Sequence, residues 1–149
     1  MRFYKVEEKG RRSCHWDAVR GKRSRVPGTF MAAGTGLPHD LSQYVVEAAT
    51  GYERGFWGLL DRGATFRSTG RKVTRPGRAI VAAHRRELDL AEGLAAHHTG
   101  RWQAGALDPV TAALTRALEQ WRVLTPGEAI VFTWPSPNGE IESPAAAAS

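Results

Sequence analysis

Two stretches near the start, Arg2-Phe3-Tyr4-Lys5-Val6-Glu7-Glu8 and Ser13-Cys14-His15-Trp16-Asp17-Ala18-Val19, carry the pattern that decides the fold class. Tyr4 and Val6 alternate with charged neighbours, and Cys14, Trp16 and Ala18 alternate with Ser13, His15, Asp17 and Val19. Alternation with period two reads as half-buried strands. Lys9-Gly10-Arg11 and Arg20-Gly21-Lys22 are short polar turns with a glycine where positive φ is needed. A third strand over 22–26, stopped by Pro27-Gly28, completes an expected three-stranded meander.

Helical periodicity takes over downstream. Pro38 and Asp40 suit a first helical turn, and Leu41, Tyr44, Val45 and Ala48 follow at i, i+3, i+4, i+7 before Gly51. Residues 77–100 read as one helix with Ile80, Val81, His84, Leu88, Ala91, Leu94 and Ala95 on one face. Asp108-Pro109 opens another helix, striped by Val110, Leu114, Ala117, Leu118 and Trp121. Within 52–76, Phe56, Trp57, Leu59 and Leu60 suggest a short helix, and 64–67 with 71–74 suggest a hairpin around Gly70. Residues 128–134 place Ile130, Phe132 and Trp134 on one side of a strand. The expected fold is therefore α+β: an N-terminal antiparallel β meander, joined by a C-terminal strand and packed against about three helices. Residues 1–134 form the expected single domain, and 135–149, with three Pro and a run of Ala, an expected disordered tail.

Length and composition narrow the function classes. At 149 residues the chain can build a full core without staples. Its one cysteine, Cys14, excludes an intramolecular disulfide and favours a reducing compartment. Acids at Glu7 and Glu8 sit where a signal peptide needs an apolar run, and no stretch approaches the ~20 apolar residues of a membrane span. The expectation is a cytoplasmic protein with no membrane partner.

The formal charge is +6, unevenly spread. Residues 1–30 hold nine basic and three acidic side chains, 67–86 seven basic and no acidic ones, and 87–149 three basic and eight acidic. Arg20, Lys22, Arg23 and Arg25, with Arg71, Lys72 and Arg75, lie in turn-rich segments mixed with Ser and Thr. Long cations, hydroxyls and backbone N–H groups together suit phosphate contact. No helix-turn-helix, zinc-finger or RNP pattern accompanies them.

A second candidate site lies at Leu37-Pro38-His39-Asp40-Leu41, an imidazole beside a carboxylate at a helix start. The helix dipole favours a neutral imidazole and an ionised carboxylate, a combination suited to base or ligand chemistry. Gln43 and Glu47 fall on the same helix face as His39, which makes His39, Asp40 and Glu47 the catalytic candidates. His39 and His84 are weak metal candidates: there is no H-E-x-x-H and no cysteine pair. Gly34-x-Gly36 has no third glycine at His39 and there is no G-K-[ST], so nucleotide cradling is not expected. No motif fixes a reaction or a cofactor. The expected function is a non-catalytic binding or regulatory domain that contacts nucleic acid or another polyanion. The alternative is an enzyme, or a metal- or ligand-binding protein, built on His39 and Asp40.

Gly36-Leu37-Pro38-His39-Asp40-Leu41, then Val45-Val46-Glu47 and Gly55-Phe56-Trp57-Gly58, resembles a group of small uncharacterised actinobacterial proteins over about residues 36–66. That resemblance implies no activity. Members of the group often carry a second histidine near position 43, where this chain has Gln43, so it gives no support to a paired-histidine metal site.

Overall fold

The computed structural model describes residues 1–21, 24–70 and 72–144. Five strands, β1 (Arg2–Glu8), β2 (Arg11–Arg20), β3 (Ser24–Ala32), β4 (Ala129–Val131) and β5 (Glu140–Glu142), form one antiparallel sheet in the order β3-β2-β1-β4-β5. The helices are α1 (His39–Thr50), α2 (Phe56–Asp61), α3 (Arg75–Ala83), α4 (Arg85–Gln103) and α5 (Pro109–Val123). The α+β class, the meander and the return of a C-terminal strand to β1 are as the sequence predicts; the described residues form five helices rather than about three.

The sheet buries one face. Phe3, Cys14, Trp16, Ala18, Val26 and Ile130 enter a core shared with α1, α2, α4 and α5. Phe3, Trp16, Tyr44, Trp57 and Phe132 meet mostly edge to face, with centroids 4.7 to 5.8 Å apart. Each such pair contributes about 0.5–1.5 kcal/mol beyond its area burial. Helix α1 is the central support, packed on α2, α4 and α5. It closes at Gly51, whose φ of 69° lets its N–H bond back to the last turn.

Strand β1 has the opposite phase to the one its hydropathy suggests. Phe3 and Lys5 face the core, and Tyr4 and Val6 face away from it. Lys5 is tolerated there because its Nζ donates to the carbonyls of Trp121 and Leu124, the latter at 2.9 Å, where α5 ends. An ammonium at those open carbonyls satisfies groups the helix cannot.

Strand β3 does not stop at Pro27-Gly28 but runs on to Ala32. It is an edge strand, where a missing N–H need cost no ladder bond. Gly28 lies under Trp16, where a Cβ would fall 2.1 Å from the ring, beside a register shift between His15 and Asp17. The expected hairpin at 64–74 is absent among the described residues. Its described residues, 64–70 and 72–74, are instead without strand and are pinned by Thr65, whose Oγ1 accepts from the Thr74 N–H at 3.0 Å; Arg71 lies outside the described residues.

The single helix expected over 77–100 breaks at His84, with φ −119° and ψ 24°. The two parts answer to different neighbours. Gly77 holds α3 against Thr65, leaving no room for a Cβ, whereas α4 packs on α1 and receives the Tyr52 hydroxyl at the Glu87 carbonyl, 2.9 Å away. The stretch expected to be a disordered tail contributes β5 as far as it is described. Its polar side chains hide a strand whose pairing with β4 is made by backbone, with Gly139 pressed on Ile130 and Phe132. Residues 145–149 lie outside the described residues.

Candidate functional site

His39, Asp40 and Gln43 from α1 line a cleft of about 360 Å³ floored by Trp16, Phe56, Trp57 and Phe66, with Arg85, Asp89 and Glu92 of α4 on its rim. His39 is 73% exposed, and its Nδ1 lies 3.4 Å from Asp40 Oδ1. The other Asp40 oxygen accepts from the Trp16 indole N–H at 3.2 Å, tying the start of α1 to β2.

Glu47 does not join them. It is fully buried and turned toward the next helix, where Oε1 accepts from the Trp57 N–H at 3.1 Å and Oε2 from Gln43 Nε2 at 3.0 Å. It therefore satisfies the open N-terminus of α2 from outside that helix. Gly55 makes this approach possible, since a Cβ there would fall 2.3 Å from Oε1. Desolvation pushes the Glu47 carboxyl up to about 7, against the opposing pull of its hydrogen bonds from Gln43, Trp57 and Phe56. The sequence-predicted trio thus separates into an exposed pair and a buried capping carboxyl.

His84 is not part of the cleft. It sits at the α3–α4 break with Nδ1 3.5 Å from Glu87 Oε1. Among the described residues no group of three or more His, Cys, Asp or Glu side chains is placed to hold a metal. Cys14 is buried, and burial pushes its thiol up to about 12, so it is not a thiolate nucleophile.

The two basic blocks fare differently. Lys22, Arg23 and Arg71 lie outside the described residues. Arg20 donates to the carbonyls of Leu60 at 3.0 Å and Ala64 at 3.5 Å, which fastens the end of β2 to the last turn of α2 and the residues just after it. The exposed Arg25 pairs with the buried carboxylate of Asp17, which also accepts from Tyr4 Oη at 2.7 Å. Lys72 and Arg75 are exposed and make no ion pair among the described residues. Arg67 and Arg78 share those properties, and their place in the acid-free run 67–86 was the sequence signal for them.

One backbone hydrogen bond links the described parts of the two segments. The Gly70 N–H, in the middle of the second block, donates to the Pro27 carbonyl of β3 at 2.9 Å, just past the end of the first. Helix α3 then starts with Arg75 and Arg78 and no acid in its first turn, so its positive end adds to the same charge. No family model matches the chain, and neither the curated proteins nor the solved structures yield a match. No described helix is long and apolar enough to cross a membrane.

Proposed function

We propose that this protein is a non-catalytic cytoplasmic binding domain for nucleic acid or a similar polyanion, contacted through Arg67, Lys72, Arg75 and Arg78 together with the β2–β3 turn. The observation that carries the reading is the Gly70–Pro27 hydrogen bond, which sets the acid-free basic segment against the strand that leaves the first basic block. Exposed cations without internal partners are free to replace the counterions of a phosphate chain, and the gain comes from the ions released. The cleft beside His39 and Asp40 supports an enzyme less well, because Glu47 is committed to the α2 N-terminus and Asp40 to Trp16.

Fluorescence anisotropy with labelled DNA and RNA at two salt concentrations tests the proposal. Binding should weaken steeply with salt, and Lys72→Glu combined with Arg75→Glu should weaken it further and flatten the salt slope by roughly one to two. Flat titrations at low salt with every nucleic acid would overturn the reading.

A further inference from the structure

Resting on that polyanion reading, we infer that the open face of the sheet is a stacking platform for the unpaired bases of a single-stranded nucleic acid, centred on Phe30. The register places Phe30 of β3 opposite His15 of β2, and His15 opposite Tyr4 of β1. These three rings form a row across adjacent strands on the side away from the core, where Phe3, Cys14 and Trp16 point the other way. Phe30 is 71% exposed. Its ring is stacked on His15 with centroids 5.2 Å apart and planes 18° apart, and His15 Nε2 is in turn 3.1 Å from Ser13 Oγ.

An aromatic held flat and open on a strand forgoes the burial that its apolar area would gain in a core. The stack on His15 fixes the ring plane in advance, which reduces the ordering a flat ligand would have to impose. Charge selects the ligand. Phe30 lies three residues along β3 from Pro27, the residue that the basic 67–75 segment grips through Gly70. Arg25 occupies the same face further down the strand, at roughly 17 Å by strand rise, where Asp17 already pairs it, so the charge comes from the 67–75 side. A strand held at the unpaired cations beside Gly70 lies within a few nucleotides of the aromatic row, and its free bases can use both. Every base has a π-face, so such a platform reads single-strandedness rather than sequence. A duplex has its bases stacked inside and offers only phosphates.

The test compares a labelled 15-mer of deoxythymidine with an abasic 15-mer of equal charge, against the native protein and Phe30→Ala, at one salt concentration. The native protein should bind the thymidine oligomer about tenfold more tightly than the abasic one. Phe30→Ala should erase that difference while leaving abasic binding in place, and Phe30→Trp should keep it. Equal native affinity for the two oligomers would overturn the platform and leave the polyanion reading standing. So would a Phe30→Ala loss shared by both oligomers, or a change of oligomeric state as its sole effect. No binding to either oligomer at low salt would remove both.

Discussion

A carboxyl at Glu47 occupies a place where sequence periodicity puts a polar face and the fold puts none. Its ordinary value lies near 4.5, and burial raises it to about 7, so between those values the folded chain holds a proton that the unfolded chain releases. Stability therefore falls as pH rises through that window and levels off above about 7, by up to about 3 kcal/mol. Glu47→Gln keeps an acceptor for the Trp57 N–H without the charge. Urea midpoints measured from pH 4 to 8 should fall for the native chain relative to this variant, with the variant gaining most at pH 8. Parallel curves would show that Glu47 does not titrate differently on folding. Lys5 makes the complementary point: burial lowers its value, and its ammonium remains useful because it meets the open carbonyls of α5. Neither role was legible in the sequence. Each residue obeys its own helix or strand period only until a neighbouring element offers better partners for its polar atoms.

Elements announced by their own ends were legible; those shaped by contact were not. Asp108 is both predicted and found as an N-cap, accepting from the Val110 and Thr111 N–H groups in a capping box. Gly51 likewise closes α1 as its position implies. The division of α3 from α4 has no such local mark; α4 packs on α1, whereas α3 seats Gly77 on Thr65. That contact is testable by the same substitution at two glycines. Gly93, inside α4, has open space where a Cβ would go, so Gly93→Ala should stabilise by about 0.5–1 kcal/mol through helix propensity. Gly77→Ala places its Cβ 2.3 Å from Thr65 Oγ1 and should destabilise by about 1–3 kcal/mol despite the same gain in propensity. Because α3 carries Arg75 and Arg78, the Gly77 variant should also bind polyanions more weakly under conditions where it remains folded. If both variants shift the urea midpoint the same way, the seat of α3 on Thr65 is wrong.

At the scale of the whole molecule, charge and closure divide between the two ends of the chain. The basic excess lies in the N-terminal half of the sequence, and the acidic C-terminal part closes the sheet edge opposite β3 through β5. Composition alone marked residues 135–149 as a tail, since they offer little to bury; what the described ones, 135–144, contribute is mostly hydrogen bonding to groups already fixed. The Tyr44 hydroxyl donates to the Ser136 carbonyl at 3.0 Å, Gln120 donates to Gly139 at 2.7 Å, and Arg2 pairs with Glu142 at 3.0 Å. The β5 backbone covers β4, which would otherwise be a bare edge three residues long. With about 0.5–1.5 kcal/mol net for each neutral hydrogen bond, removing residues 135–149 should cost roughly 3 kcal/mol. The loss should appear as a lower urea midpoint, with polyanion binding by the folded fraction unchanged because the cations lie at the other edge. A truncated chain as stable as the intact one would return the segment to the status of a tail, and Tyr44 would then need another acceptor for its hydroxyl in the core.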